Sequence, residues 1–315
     1  MRVVPLEAFR DKVSFAVAVS AMERGFRALA LGEADLPDPM VVELPAQRAE
    51  VHVKGAHLKG GRHIVLKVAT GFYHNRARGL PSGDGMFLLL DAETGVPALL
   101  LEEHGYLTDF RTAAAVALTL KYLAPREARQ ALLVGAGALA RVTARAMVAQ
   151  MPLDRLTLWN RTPERAADLA KGLSQVVETR IAPALESAVR DHRVIVTATA
   201  STTPLVMAAW VGPGTHVTSV GTGSPEKIEL EPALLARADK LVADRTFQTE
   251  RYGNLHHAIA AGAITREKVY AELGDVAAGR RAGRETAEEI TVADLTGVGV
   301  QDAAIAESVV QALGL

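Results

Sequence analysis

The sequence predicts an α/β protein in which a doubly wound parallel sheet is accompanied by a second, α+β domain. From residue 131 onward, short apolar segments alternate with helix-forming segments, a rhythm typical of a parallel sheet. Residues 40–101 contain closely spaced strand-like segments without such helices between them. The 315 residues also exceed the usual size of one domain, so two domains are expected.

The composition excludes several classes of protein. Hydrophobic residues make up 49% of the chain and charged residues 23%, as in a globular protein with a sizeable core. The formal net charge of −1 gives no reason to expect nucleic acid or an acidic membrane as a partner. The absence of cysteine excludes thiol catalysis, disulfides and cysteine-bound metals. The apolar run at 13–19 is too short to span a bilayer, so we expect a cytoplasmic protein with no membrane segment.

The first hundred residues predict a small sheet bordered by helices. Residues 1–30 favour a short strand followed by a helix that ends near Gly32, and residues 36–39 form a linker or turn. A helix is expected from about residue 108 to 123, because Pro125 ends it. The strand-like segments between them, the last two forming a hairpin, lie at 41–44, 49–53, 63–68, 86–90 and 97–101.

The later part of the chain predicts alternating strands and helices up to about residue 246 and mostly helix beyond it. A Gly/Arg-rich loop at 279–284, a short strand at 290–292 and a terminal helix from about Val300 complete the chain. The expected strands are 131–135, 155–159, 193–198, 216–220 and 240–243, with a weaker one near 177–181.

A glycine motif directly follows the strand expected at 131–135. Gly135 allows a tight turn, Gly137 lets backbone N–H groups approach a phosphate, and Ala140 lets the next helix pack closely. Strand, G-x-G-x-x-A and helix in this order predict a Rossmann-type dinucleotide-binding domain; an ordinary glycine-rich turn is the alternative. The residues predicted to contact the nucleotide at this turn are Gly135, Gly137, Ala138 and Leu139.

The end of the second strand of this domain favours NADP(H), with NAD(H) possible. An acidic residue at this point would bind the ribose 2′-hydroxyl of NAD. The chain has instead Asn160, Arg161 and Thr162, with Arg165 one turn into the next helix. Arginine suits a 2′-phosphate because its planar guanidinium forms paired charge-assisted hydrogen bonds. The alternative is that both arginines belong to a solvated helix start.

Two cationic residues lie where a charge is costly unless it is used or paired. Lys67 falls within an apolar strand, where it is either functional or an edge-strand lysine that deters aggregation. Arg111 begins the helix expected at 108–123, where it either binds a substrate carboxylate or pairs with Asp109 or Glu103. No metal site is expected, because the nine histidines lack ligand spacing and His256-His257 is typical of a helix surface.

Seven segments together resemble the ornithine cyclodeaminase/mu-crystallin family, in the family's order, from about residue 36 to 305. The L-T-x-x-R-T-A-A element followed by the glycine motif is the most specific of them. The segments are 67–72 (KVATGF), 79–81 (GLP), 94–95 (TG), 107–114 (LTDFRTAA), 134–137 (VGAG), 225–230 (PEKIEL) and 297–302 (GVGVQD).

The resemblance implies a two-domain enzyme that forms a homodimer. It implies a substrate-binding and dimerisation domain from residues 1–112, completed by 298–315, and a Rossmann dinucleotide-binding domain from 113–297. The dimer would join through the sheets of the substrate domains. By the same resemblance Lys67 and Arg111 bind the substrate carboxylate, with Lys67 also near the reacting carbon. Thr112 would contact the phosphates of the nucleotide, and Thr199, after the strand at 193–198, is also assigned to the cofactor.

Two departures from the family pattern shape the expected activity. The aspartate that activates the amine or water in true cyclodeaminases is replaced by Gly223, and a second arginine expected near residues 39–40 is absent. Loss of a positioned general base costs on the order of 10²–10⁴ in rate. We therefore expect an NAD(P)-dependent oxidoreductase that transfers hydride to or from the α-carbon of a small imino or amino acid. The alternatives are an ornithine cyclodeaminase with catalytic NAD and a noncatalytic protein that binds NADP or a small molecule.

Overall fold

The computed structural model describes residues 1–315, except for the side chain of Arg76. The chain divides into two compact units. The first comprises Met1–Arg111 and Val298–Leu315, and the second comprises Thr112–Gly297. Among the described residues, no helix combines the length and the apolar character that a membrane crossing requires.

The first unit is built mainly from the N-terminal part of the chain. Its third helix, α3, continues across the boundary into the second unit. The strands are β1 (Arg2–Pro5), β2 (Ala34–Asp35), β3 (Met40–Leu44), β4 (Ala49–Leu58), β5 (His63–Phe72), β6 (Gly83–Asp91) and β7 (Pro97–Glu102), and the helices are α1 (Leu6–Phe9), α2 (Phe15–Ala30) and α3 (Tyr106–Leu123).

The second unit alternates strands and helices. Its strands are β8 (Gln130–Val134), β9 (Arg155–Trp159), β10 (Glu178–Ile181), β11 (Val194–Thr197), β12 (Thr202–Val206), β13 (His216–Ser219), β14 (Ile228–Leu230), β15 (Lys240–Ala243), β16 (Val269–Glu272) and β17 (Thr291–Asp294). Its helices are α4 (Ala138–Gln150), α5 (Pro163–Lys171), α6 (Leu185–Asp191), α7 (Pro232–Arg237), α8 (Thr246–Thr249), α9 (Gly253–Ala260) and α10 (Leu273–Ala277). The last helix, α11 (Gly299–Leu313), returns to the first unit.

The sheet of the first unit has the strand order β1-β7-β6-β5-β4-β2, with β3 also paired to β4. All pairs are antiparallel except β1 with β7. Because side chains alternate between the faces of a sheet, one face carries the buried residues and the other is more exposed. The buried face includes Val65, Lys67, Phe87 and Leu101.

Helix α11 packs against α2, β4 and β5, and glycines allow the close approach. A Cβ at Gly299 would overlap the carbonyl oxygen of Gly55 in β4, and a Cβ at Gly25 in α2 would lie 2.9 Å from the carbonyl oxygen of Val300. Real Cβ atoms essentially never come this close, so only glycine fits at these two points. The first turn of α11 is therefore held against the buried face of the sheet.

The second unit contains an eight-stranded parallel sheet in the order β10-β9-β8-β11-β13-β17-β15-β16. Strand β8 lies between β9 and β11. The strands β9 and β10 extend the sheet on one side of β8, and the strands from β11 onward extend it on the other side, so the strand order reverses at β8. In open α/β sheets, ligands bind beyond the carboxyl ends of the strands at such a switch point. The glycine motif follows β8 at this point.

The fold class is confirmed, and most expected elements are present within a few residues. The expectation that the chain is mostly helical after residue 246 is wrong for β16, an edge strand of only four residues that lacks an apolar pattern. The strand expected at 290–292 is β17, which lies inside the sheet between β13 and β15. A separate two-stranded sheet, β12 with β14, is also present and was not expected.

Candidate active site

Lys67 lies in the interior of the sheet of the first unit. Strand β5 is paired on both sides, so the edge-strand explanation for this lysine is wrong. The register places Lys54 of β4 and Phe87 of β6 directly opposite Lys67, so these three side chains share the buried face. The residue is only 1% exposed. A buried ammonium group requires an anionic partner or a function.

Arg111 lies in α3 and takes its partners from the first turn of α11. Its Nη1 donates a hydrogen bond to Oε1 of Gln301 over 3.0 Å, and its Nε lies 3.0 Å from Oδ1 of Asp302. Oε1 of Gln301 also accepts a hydrogen bond from the backbone N–H of Val298. The glycine-mediated packing of α11 thus supplies these partners, rather than Asp109 or Glu103.

Asp302 joins the two cations. Its Oδ1 accepts a hydrogen bond from Nζ of Lys67 over 3.0 Å and lies equally close to Nε of Arg111. All three side chains are almost completely buried. Within the described part of the chain, Oδ2 of Asp302 and Nε of Arg111 have no hydrogen-bond partner. This cation cluster, defined as Lys67, Arg111 and Asp302, contains two positive side chains and one negative side chain.

The surroundings of the cluster shift two pKa values. Burial lowers the pKa of Lys67, and the nearby Arg111 lowers it further, while Asp302 and Glu103 oppose the shift. Burial raises the pKa of Asp109 to about 6, with Glu103 adding to the rise and Arg111 opposing it. Because its pKa is lowered, Lys67 releases its proton more readily than an ordinary lysine does.

The glycine turn of the second unit has the geometry of a phosphate-binding loop. Gly135 has a φ of 122°, and a Cβ there would lie 2.5 Å from the carbonyl oxygen of Ala198. Gly137 is the N-cap of α4, and a Cβ there would have no protein atom within 4 Å among the described residues. Ala138 and Leu139 begin the helix, whose N-terminus has no side-chain cap within the described structure. The exposed backbone donors and the open space at Gly137 fit a pyrophosphate.

The loop after β9 offers donors and no carboxylate. Nδ2 of Asn160 donates to the carbonyl oxygen of Thr162 over 2.9 Å, which orders the turn before α5. Thr162 is the N-cap of α5. Arg161 and Arg165 are exposed beside this turn. Such a turn can accept a phosphate group, since two guanidinium groups are accessible there.

The other expected cofactor residues lie in different surroundings. Thr199 follows β11, but its N–H and its hydroxyl both donate to Oε1 of Glu229, over 2.6 and 2.7 Å. Thr112 is a half-buried residue of α3. Gly223 lies in the loop after β13, where a Cβ would meet no protein atom within 4 Å in the described part of the molecule. This position therefore has room for a side chain but carries none.

Sequence reasoning did not assign roles to Gln301, Asp302, Glu229 or Asn254. The signal for the first pair was two polar residues opening an otherwise apolar helix, and the signal for Glu229 was a carboxylate between Ile228 and Leu230. Glu229 accepts hydrogen bonds from Oγ1 of Thr197, from the N–H and hydroxyl of Thr199, from Oγ of Ser219 and from the N–H of Gly221. Oδ1 of Asn254 accepts from the N–H groups of Glu229 and Leu230.

Comparison with known proteins shows similarity over nearly the whole chain. Residues 6–313 match the ornithine cyclodeaminase/mu-crystallin family. An uncharacterized cyclodeaminase of Sinorhizobium fredii is 42% identical over 292 residues, which cover 92% of this chain and 88% of that protein.

Two solved structures share the fold along nearly their whole length. The structure of an archaeal alanine dehydrogenase dimer with bound NAD is 31% identical and has a TM-score of 0.93, with 98% of this chain and 95% of that one covered. The Δ1-pyrroline-2-carboxylate reductase of Thermococcus litoralis, in complex with NADH and L-proline, is 26% identical and has a TM-score of 0.94. In that comparison 99% of this chain and 97% of the other are covered.

Proposed function

The chain belongs to the ornithine cyclodeaminase/mu-crystallin family, and we propose that it is an NADP(H)-dependent oxidoreductase of a small imino or amino acid. The reaction is a hydride transfer to or from the α-carbon of the substrate. Two of the related proteins are named as an alanine dehydrogenase and a pyrroline-2-carboxylate reductase, and both names describe reactions of this class. In this proposal the first unit binds the substrate and the second unit binds the nucleotide.

The cation cluster is the observation that carries the proposal. Lys67 and Arg111 are buried cations that share a single carboxylate oxygen of Asp302. Within these three residues there is one positive side chain more than there are negative ones, while the carboxyl groups of Glu103 and Asp109 act on the cations from close by. A substrate carboxylate would bind to both cations at once, and two buried cations that share one carboxylate oxygen are suited to such a ligand.

Each cation has a distinct role in the proposed reaction. The guanidinium of Arg111 binds the substrate carboxylate, for which its planar fork is suited. The ammonium of Lys67 contacts the same carboxylate and donates a proton to the substrate nitrogen, a transfer that burial favours because it lowers the pKa of Lys67. The nicotinamide, when bound, supplies or accepts the hydride.

The nucleotide is assigned to the turn after β8 and to the loop after β9. Backbone N–H groups at Gly137, Ala138 and Leu139 are placed to bind the pyrophosphate. Arg161 and Arg165 favour the 2′-phosphate of NADP, since no acidic residue ends β9. The two related structures contain NAD and NADH, so NAD(H) is the second candidate. Thr112 and Thr199 complete the proposed cofactor contacts.

Gly223 argues against ornithine cyclodeamination as the main activity. In the cyclodeaminases of the family, the segment that corresponds to the loop after β13 has an aspartate at the position of Gly223. Glycine offers no carboxylate to accept a proton from an amine or water. Hydride transfer with an imino acid needs no such base, so the substitution is compatible with the proposed reaction.

We also propose that two copies of the chain form a homodimer. In it, the more exposed face of the first unit's sheet packs against the same face of the second copy. The register places Met40, Val53, Val68 and Met86 in one row on the face opposite Lys67. Met40 and Met86 are 58% and 43% exposed. An apolar sheet face of this kind is typical of a surface that another protein covers. A second copy is the proposed partner because the related archaeal alanine dehydrogenase is a dimer. The cytoplasmic location expected from the sequence remains part of the proposal.

The decisive experiment is an activity screen of the purified protein with NADPH and NADH. The panel contains Δ1-pyrroline-2-carboxylate, and pyruvate or other keto acids with ammonia or methylamine. The proposal expects nucleotide oxidation with at least one imino acid, and a higher kcat/KM with NADPH than with NADH. Release of ammonia and proline from L-ornithine with catalytic NAD would establish the cyclodeaminase instead. No turnover across the panel, together with nucleotide binding, would identify a noncatalytic binding protein.

A further inference from the structure

We propose that Asp302 is the positioning residue of this site, which holds Lys67 and Arg111 together before a substrate arrives and keeps Lys67 in its ammonium form. The inference rests on the proposed function for the roles of the two cations. Asp302 itself is placed to contact neither substrate nor nucleotide in this scheme. It acts through the two cations that do contact the substrate.

One oxygen atom of Asp302 contacts both cations. Oδ1 of Asp302 lies 3.0 Å from both Nζ of Lys67 and Nε of Arg111. The two cations come from different elements, β5 and α3, and would repel one another without an anion between them. A single buried oxygen therefore determines where both positive groups lie.

The carboxylate of Asp302 is held in place by the packing of its helix. Asp302 lies in the first turn of α11, where a carboxylate is also favoured by the helix dipole. The contacts of Gly299 with Gly55 and of Gly25 with Val300 hold this turn against β4 and α2. Gln301, the preceding residue, accepts hydrogen bonds from Arg111 and from the N–H of Val298. The position of Asp302 thus depends on the backbone more than on its own rotamer.

The elements packed around Lys67 carry several charged groups. Helix α3 presents Arg111 and also Asp109, whose pKa is raised to about 6. Strand β4 presents Lys54 directly opposite, and β6 presents the uncharged Phe87. Glu103 is a second anion, but its two oxygens accept hydrogen bonds from the N–H and hydroxyl of Thr108. Asp302 is therefore the anion that contacts the ammonium group directly.

The unused oxygen of Asp302 points to the same role. Oδ2 is buried and has no hydrogen-bond partner among the residues that the structure describes. Buried polar atoms are rarely left unsatisfied, and the exceptions concentrate where function requires them. Folding stability alone would favour a carboxylate with both oxygens bonded. In the described structure, the oxygen of Asp302 that has partners is the one that meets the two cations.

The test compares Asp302→Asn with Glu307→Gln. The first variant keeps the size of the side chain but removes its charge. The second removes the charge of another carboxylate of α11, Glu307, whose Oε1 lies 3.0 Å from Nδ1 of His63 in β5. Protein labelled with nitrogen-15 lysine is titrated by NMR, and the Nζ signal of Lys67 is assigned by its loss in Lys67→Met. The pH profile of kcat/KM is measured on the same samples.

In Asp302→Asn, the titration midpoint of Lys67 is expected to fall by about one to three pH units, because the contacting anion is lost. The alkaline limb of the kcat/KM profile should move down by the same amount, with kcat/KM reduced about tenfold or more. Glu307→Gln should leave both midpoints unchanged. A folded Asp302→Asn protein with an unchanged Lys67 midpoint would overturn the inference.

A second variant covers the case in which Asp302→Asn does not fold. Asp302→Glu keeps the charge and displaces it, so the Lys67 midpoint should stay near that of the wild type while KM rises. A fall of the midpoint in Asp302→Glu would overturn the inference as well. Because the NMR titration needs no substrate, a wild-type protein without turnover refutes the proposed function and leaves the role of Asp302 to be decided separately.

Discussion

The two units each contain a buried carboxylate surrounded by polar groups, and the two carboxylates are satisfied very differently. Glu229 of the second unit accepts hydrogen bonds from two backbone N–H groups and three hydroxyl groups, so both of its oxygens are occupied. Asp302 of the first unit meets two cations with one oxygen and leaves the other without a partner in the described structure. A fully bonded network stabilises a fold, whereas an incomplete one with excess charge is suited to receive a ligand.

The largest expected effect comes from Lys67→Met in the cation cluster. We expect kcat/KM to fall on the order of 10²–10⁴, as for the loss of a proton-transfer group. The free energy of unfolding should change by less than about 1 kcal/mol, because Arg111 and Asp302 remain as a balanced pair. Steady-state kinetics and urea denaturation measure the two quantities.

Lys240→Met is the matched control, because Lys240 is also a buried lysine but pairs with Glu285 and Glu289. This variant should lose about 2 kcal/mol of stability, since two carboxylates lose their cation. Its kcat/KM should be unchanged. If Lys67→Met and Lys240→Met gave the same pattern, the distinction between a site cluster and a structural one would fail.

The next largest effect is expected for Glu229→Gln in the second unit. A glutamine amide would direct donor hydrogens at groups that now donate to Glu229, such as Oγ of Ser219 and the N–H of Gly221. We expect the free energy of unfolding to fall by about 3 kcal/mol. Glu226→Gln, in the same segment, changes a side chain that accepts a hydrogen bond from Ser224 and should have little effect. Equal stability of the two variants would show that the Glu229 network is not structural.

A pH-dependent effect of intermediate size is expected from Asp294. Its Oδ1 accepts a hydrogen bond from Nδ2 of Asn254, which also donates to Oγ of Ser219 in the Glu229 network. Burial raises the pKa of Asp294 to about 7, with Asp244 adding to the rise, against 3.8 for an ordinary aspartate. The folded protein therefore keeps a proton that the unfolded chain releases between these values. Stability from this group is complete below pH 4 and falls as the pH rises to about 7, by at most about 1.4 kcal/mol per pH unit. Urea denaturation at pH 5 and pH 7 should show this loss in the wild type and not in Asp294→Asn. An equal change in the free energy of unfolding between the two pH values in both proteins would contradict the prediction.

The smallest effect is expected at the glycine turn. Gly137→Val should weaken nucleotide binding about tenfold, because its side chain would fill the open space in front of α4 where the pyrophosphate is proposed to lie. The melting temperature should stay within a few degrees, since no protein atom is displaced. Gly212→Val is the control, because a Cβ there also meets no atom within 4 Å in the described part of the chain, yet Gly212 precedes β13 and lies away from the carboxyl ends of the strands. Calorimetric titration with NADPH should give wild-type affinity for Gly212→Val. A loss of affinity in Gly212→Val as large as in Gly137→Val would argue against the proposed pyrophosphate site at the turn after β8.

The local patterns of the chain were sufficient for much of the fold. Apolar segments alternating with helices from residue 131 predicted the parallel sheet, because strand and helix periodicity are properties of a few consecutive residues. The edge strand β16 was missed because its four residues carry no such periodicity. The local pattern also could not predict that β17 lies inside the sheet between β13 and β15, because strand order depends on how distant segments pair.

The sequence by itself determined that Lys67 and Arg111 are exceptional and that Gly135 and Gly137 form a tight turn, because charge and backbone freedom belong to the residue types. Only the tertiary structure decided that Asp302, 235 residues away from Lys67 along the chain, provides the anion for both cations. The same holds for Glu229, whose donors come from two separate segments of the second unit, 197–199 and 219–221. Hydrogen bonds and ion pairs depend on distances of about 3 Å, and such distances between remote residues arise only when the chain has folded.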